Sequence, residues 1–373
     1  MKKILSFLLL LTLFSLFGCV KVHATQLDIF DDDIARIEDS VDEDTSQGLE
    51  ALGTPDVQSV IANGINTAAI WEYIITLFST YSSSTLSALM VLVAVMLFAS
   101  IAESYTYSLR YTDTKDIMGV VVGLFFTSVV VSPVAQLVSA SVTVIQGASA
   151  VMMVYLPVMA GIMAFSGHAI ASGGYYAAVT AVSQLLSRIA ASVLSPLLNV
   201  FLSLSVSASI CGRVRLGGLI ESISKCFKYV LTFSMSIFVA VIGLNSALSN
   251  AADSVADKAV KFSLSSFIPI IGSSVSEAYS TIQGSVNILR SGIGVFVILA
   301  VFTAFAPLMM KSLLWSMAIG AAKTVGEALA VSSGTAILNA LSLFLSALRA
   351  ILIAVMTVFI ISSSVMISVG GKL

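Results

Sequence analysis

Residues 86–102 read L-S-A-L-M-V-L-V-A-V-M-L-F-A-S-I-A, without one charged side chain. An uninterrupted apolar run close to ~20 residues is long enough to cross the hydrocarbon of a bilayer as a helix. A short charged stretch with Arg110, Asp113, Lys115 and Asp116 follows, and then a second apolar run, Ile117–Val138. Further runs of this kind lie at Ile189–Ile210, Tyr229–Leu248, Gly292–Met310 and Arg349–Val369. The whole chain of 373 residues is 58% hydrophobic and 10% charged, with a mean hydropathy of +1.03, whereas soluble domains carry about 25% charged residues. The expected fold class is all-α: a polytopic helical membrane protein occupying residues 86–373. It has six spans, or eight if residues 139–188 cross twice more.

Charge is distributed unevenly. Residues 25–60 hold eleven acids against one base, Arg36, while the chain from residue 61 onward holds nine acids and fourteen bases. An acidic tail on a mildly basic membrane body excludes nucleic acid as the expected partner and leaves membrane lipid and other proteins. Residues 1–24 read as a signal peptide: Lys2 and Lys3, an apolar stretch Ile4–Phe17, and V-H-A before Thr25. Cleavage is expected after Ala24, with L-F-G-C at Leu16–Cys19 as the competing lipoprotein site. Residues 25–56 then form an acidic extracytoplasmic tail, poor in aromatic residues and expected to be mobile. Residues 57–85, with Trp71, Tyr73, Phe78 and Tyr81, read as an interfacial amphipathic segment.

Two apolar stretches each contain a proline followed by glycine: Y-L-P-V-M-A-G at Tyr155–Gly161 and F-I-P-I-I-G at Phe267–Gly272. Three runs also start alike, at Lys115, Lys228 and Arg349, each with a β-branched residue at the third position, Met or Leu at the fourth and Phe at the eleventh. Starts, prolines and the pair Pro196/Pro307 all recur at about 110–120 residues, the signature of an internal repeat. The expected architecture is three tandem parallel helical hairpins, joined on the outer side by proline-broken segments that are either re-entrant or membrane-spanning. Arg110, Lys115, Lys311, Lys323 and Arg349 then fall on the cytoplasmic side with the connection 311–348, following the bias of bases toward that side. Pro157, Gly161, Pro269, Gly272 and Glu277 become candidates for the lining of a shared cavity or interface. The alternative is that proline only kinks a span, which membrane helices tolerate.

Reactive chemistry is sparse. His168 is the single histidine past the leader and has no G-x-S-x-G or orienting partner nearby in sequence; it reads as a helix-end residue. Cys211 and Cys226 lack metal-ligand or C-x-x-C spacing. Lys323 and Glu327, at i and i+4, share one helix face and read either as a surface pair or as an intramembrane ion pair. With no phosphate loop, dinucleotide fingerprint or zinc spacing, no enzyme activity and no cofactor is expected.

The leader, the L-P-V-M-A-G-I-M-A-F-S-G stretch at Leu156–Gly167, and A-V-K-F at Ala259–Phe262 followed by F-I-P-I-I-G resemble the stage III sporulation protein AE family over roughly residues 60–370. The acidic tail departs from that pattern. The resemblance implies a multi-pass protein in the mother-cell membrane around the forespore. It implies as partners the other stage III sporulation A proteins and stage II sporulation protein Q, in a secretion-like channel complex required for late forespore gene expression. A homo-oligomer is compatible with it. The resemblance implies no catalytic residues. A stand-alone secondary transporter for a small molecule is the alternative, distinguished by saturable uptake by the purified protein alone.

Overall fold

The computed structural model describes residues 30–108, 112–166, 169–189 and 272–368, with isolated residues between 192 and 240. Three short helices, α1 (Asp31–Asp39), α2 (Glu43–Ala51) and α3 (Val57–Asn63), precede five longer ones: α4 (Thr67–Ser108), α5 (Thr112–Phe165), α6 (Ala169–Ile189), α7 (Gly272–Ala328) and α8 (Ser332–Ser368). No strand occurs among the described residues. Four of the helices, α4, α5, α7 and α8, are long and apolar enough to cross a membrane. The chain is therefore the all-α membrane protein that its composition requires.

The long helices pack as two antiparallel pairs. In α7–α8, Arg349 reaches Ser316, Lys323 reaches Asn339, and Gly294 lies against Ile367. In α4–α5, the rings of Phe98 and Phe125 meet edge to face with their centroids 5.8 Å apart, a favoured arrangement for aromatic pairs. The two pairs run in the same direction. Tyr73 of α4 is level with Phe302 of α7, Tyr81 with Lys311, Met96 with Gly326, and Ser100 with Leu329. The offset is nearly constant from one end to the other, so α4 lies parallel to α7 in one register. The expected three-hairpin repeat includes a middle unit, with Pro196, Lys228, Cys211 and Cys226, that lies outside the described residues or is represented by isolated residues only.

The connection expected over 311–348 is almost entirely helix. The actual turn is Leu329–Val331, closed by a Schellman pair in which the Val331 N–H donates to Gly326 O and the Ala330 N–H to Glu327 O, at 3.0 and 3.2 Å. Ala330 takes the left-handed conformation at φ 55° that glycine usually supplies. A connecting loop was expected because charges punctuate the sequence at Lys311, Lys323 and Glu327; on a long helix they simply occupy its surface. For the same reason residues 57–85 are not a separate segment, since α4 continues from Thr67 through the run 86–102 without a break.

The acidic segment is folded, contrary to the expectation of a mobile tail. Its carboxylates sit where helices begin: Asp31, Asp32 and Asp33 in the first turn of α1, and Glu43 and Asp44 in the first turn of α2, where the helix dipole favours negative charge. Asp56 caps α3, its carboxylate accepting from the Ser59 N–H at 2.6 Å in a capping box. Between the acids, Phe30, Ile37, Leu49, Leu52, Val57 and Val60 are buried against the bundle. Phe30 meets Phe165 edge to face at 5.7 Å, Gly48 rests on Thr303 and Tyr73, and Ile61 fills the space above Gly292. Average composition hid this amphipathic spacing.

Gly48 has no room for a side chain, as an added Cβ would lie 2.8 Å from Thr303 Cβ. Gly48→Leu should therefore weaken docking of α2 by about 1–3 kcal/mol, seen as faster cleavage at Glu43 and Glu50 by a glutamate-specific protease in membranes. Glu50→Ala, at an exposed position, leaves the cleavage at Glu43 slow. Glu38 accepts the Val57 N–H at 2.9 Å. Burial pushes its carboxyl above the ordinary 4.5, with Asp56 and Asp39 adding to the shift and the Val57 bond opposing it. The docked form then binds more protons than the undocked one, so docking is strongest at acidic pH and weakens as pH rises through the carboxylate range up to the raised value. Glu38→Gln, which retains an acceptor oxygen, should remove this pH dependence of protease protection; an unchanged profile would assign it elsewhere.

Candidate functional site

Three polar places interrupt the apolar bundle. The first lies where α5, α7 and α8 meet. Arg290 of α7 is 1% exposed, and beside it the fully buried Tyr155 of α5 carries its hydroxyl toward Ser363 of α8. Gly294 permits the crossing, since a Cβ there would stand 3.4 Å from the Tyr155 hydroxyl and collide with Ile367. A guanidinium withdrawn from water is costly unless surrounded by polar groups, so this cluster ties the three helices in one arrangement. Sequence reasoning placed Arg290 on the outer side but did not single it out; the one available signal was a lone base at the edge of an apolar run.

The second place is level with Lys311. Its ammonium sits 5.9 Å from the centroid of the Tyr81 ring, within cation–π range, and Arg349 donates to Ser316 Oγ at 3.0 Å. The third is the Lys323–Glu327 pair close to the α7–α8 turn. Its charged atoms are 3.7 Å apart with side chains 33% and 59% exposed, and Lys323 also donates to Asn339 of α8 at 3.1 Å. The pair suggested by the i, i+4 spacing thus forms, and it lies on the bundle surface.

The proline candidates come out differently from one another. Pro157 lies inside α5, which continues to Phe165, and its ring is exposed. It removes the donor that would serve the carbonyl of Met153, and Met153 is exposed on the same face. Around Pro157 the backbone is therefore a through-going helix and not a re-entrant break. Gly161 has open space where a Cβ would stand, so no close approach depends on it. Gly272 opens α7 and Glu277 follows within its first two turns; Pro269 and His168 fall outside the described residues. Two members of the expected constellation, Pro157 and Gly161, share a helix, and nothing brings them to Lys323 and Glu327 at the opposite end of the bundle. Among the described residues no group of His, Cys, Asp and Glu could hold a metal ion.

The comparisons with known proteins agree with this picture of a membrane component. Residues 57–370 match the family described as stage III sporulation protein AE. The chain belongs to that family. Stage III sporulation protein AE of Bacillus subtilis is 21% identical to it over 180 residues, 48% of this chain and 45% of the relative. The match thus spans less than half the length of that relative. No solved structure matches the chain. The match begins at Val57, the first residue of α3, so α1 and α2 lie outside the shared pattern.

The two kinds of polar place should respond differently to mutation. Tyr155→Ala is expected to cost about 3–5 kcal/mol, as for other buried aromatic truncations. Lys323→Ala should change stability by less than about 1 kcal/mol, because the pair is exposed. Thermal unfolding of the detergent-purified protein, followed by fluorescence-detected size exclusion, compares them; equal losses would contradict the assignment of Lys323–Glu327 to the surface.

Proposed function

We propose that this protein is a membrane subunit of a secretion-like channel complex between mother cell and forespore, acting in the mother-cell membrane that surrounds the forespore and required for late forespore gene expression. The partners in this reading are other stage III sporulation A proteins and stage II sporulation protein Q, and further copies of this chain are compatible with it. The observation that carries the reading is membership of the stage III sporulation protein AE family across α3–α8. Two features support action through assembly. Polar residues in the described bundle tie helices together, as at Arg290 and Arg349, without forming an acid–base or nucleophilic constellation. The acidic helices α1 and α2 also present Asp31, Asp32, Glu43 and Glu50 outward, a charged surface suited to a protein partner.

In a strain lacking the gene, heat-resistant spore yield should fall by orders of magnitude, and a reporter of late forespore transcription should stay silent while an early reporter is normal. Complementation restores both, and affinity purification of the tagged protein from sporulating cells should retain the named partners. Normal spores without the protein would end this reading. Saturable uptake of a solute by the purified protein alone, with no partner retained, would favour the transporter.

A further inference from the structure

The most apolar stretches of α4 and α7 are not at the same height. The run 86–102 of α4 is level with the last turns of α7 and the hairpin turn, because Met96 touches Gly326 and Ser100 touches Leu329. The run 292–310 of α7 is level with the start of α4, because Tyr73 meets Phe302. A single bilayer with about 30 Å of hydrocarbon cannot be centred on both.

The acidic helices decide between them. α2 and α3 lie directly on the run 292–310: Gly48 rests on Thr303 and Ile61 on Gly292, and Asp42 and Thr45 line a recess with Gly147, Ala148, Ala300 and Ala304. Exposed carboxylates at this level, Glu43, Asp44 and Glu50 among them, are incompatible with hydrocarbon. The protein itself covers this stretch, and Ile293, Phe296, Val297, Leu299, Ala300 and Val301 are all buried. From Thr303 to the turn at Leu329, α7 rises about 39 Å at 1.5 Å per residue, close to the full thickness of a bilayer with its headgroups. Charge on α4 marks the same two levels independently: it carries Glu72 beside Tyr73 and Glu103 just past Ser100, and no charged residue between.

We propose that the bilayer surrounds only the turn-side half of the bundle, α7 from Thr303 to Leu329 with the level parts of α4, α5 and α8, and that the half carrying α1–α3, α6 and Arg290 stands outside it. The surface offered to acyl chains includes Leu86, Met90, Leu97 and Ile101 of α4 and Leu313 and Met317 of α7, all exposed. Within this zone the described charges lie toward its edges. Lys311 and Arg349 are nearer the acidic helices and Lys323–Glu327 nearer the turn, where long side chains can extend to the interface. The outer half buries most of its apolar residues, with exposures at Met153, Phe165, Tyr176 and Leu185 of a kind common on water-facing surfaces, and its displayed charge is carried chiefly by α1–α3. The inference is independent of which complex the protein serves.

Spin labels in the full chain in phosphatidylcholine–phosphatidylglycerol vesicles test it, with Cys19, Cys211 and Cys226 replaced by alanine. Met317→Cys and Leu313→Cys should give labels accessible to oxygen and shielded from a water-soluble nickel complex. Met153→Cys and Leu185→Cys should show the inverse ratio. Placing the membrane on 292–310 puts residue 313 among the headgroups and 317 in water, so nickel access at both would overturn the proposal, as would an oxygen-rich, nickel-poor environment at 153 and 185. Shielding of 313 and 317 from both reagents would show protein there, from a second copy or from this chain, and would overturn lipid as the occupant. Two sites on each half keep the comparison decisive if one variant fails to fold.

Discussion

The parallel register of α4 against α7 governs the architecture. It is held by close approaches that tolerate little displacement: Met96 packs over Gly326, where a Cβ would lie 2.6 Å from its terminal methyl, and Thr335 of α8 closes on the same glycine at 2.9 Å. Small residues of this kind let helices approach where apolar burial alone gives lipid-embedded helices no reason to associate. Sliding α4 by one turn would carry Met96 off Gly326, Tyr73 off Phe302 and Tyr81 off Lys311 together. Once that register stands, the antiparallel partners α5 and α8 follow from their short connections, and every charge on the bundle acquires a height.

Heights change the meaning of individual residues. In sequence, Lys311, Lys323 and Arg349 belong to one basic connection. In the bundle, Lys311 and Arg349 share a level some 27 Å from the turn, by helix rise, and Lys323–Glu327 lies near the turn itself. Arg290 is further out again, buried beside Tyr155. The first group lies within the membrane-embedded zone, toward its outer edge, and the last is a core feature of the outer half, with the Tyr155 hydroxyl beside it.

The N-terminal helices connect composition to this architecture. Eleven acids in residues 25–60 would repel one another in a compact structure if they were clustered, but those at helix starts are stabilised by unsatisfied backbone N–H groups. The apolar residues between them then fall on one side and dock on α5 and α7. A segment that looks like a solvated tail becomes a cover for the most apolar stretch of α7. Part of this cover, α1 and α2, lies outside the residues matched to the family.

Membrane character, helical class, the family and the pairing of Lys323 with Glu327 were all legible in residues 86–102, 155–167 and 323–327. Each depends on neighbours close in sequence: unbroken apolarity, i, i+4 spacing, or a contiguous pattern. What sequence could not decide was which apolar run meets lipid and which meets protein. Both are equally hydrophobic, since burial in a bundle and burial in a bilayer remove the same surface from water. Only the tertiary contacts of Gly48, Ile61 and Met96, each made to residues more than two hundred positions away, distinguish them. Pro157 shows the same limit in reverse: a proline signals a missing donor, but whether the helix stops or passes through depends on the packing around it.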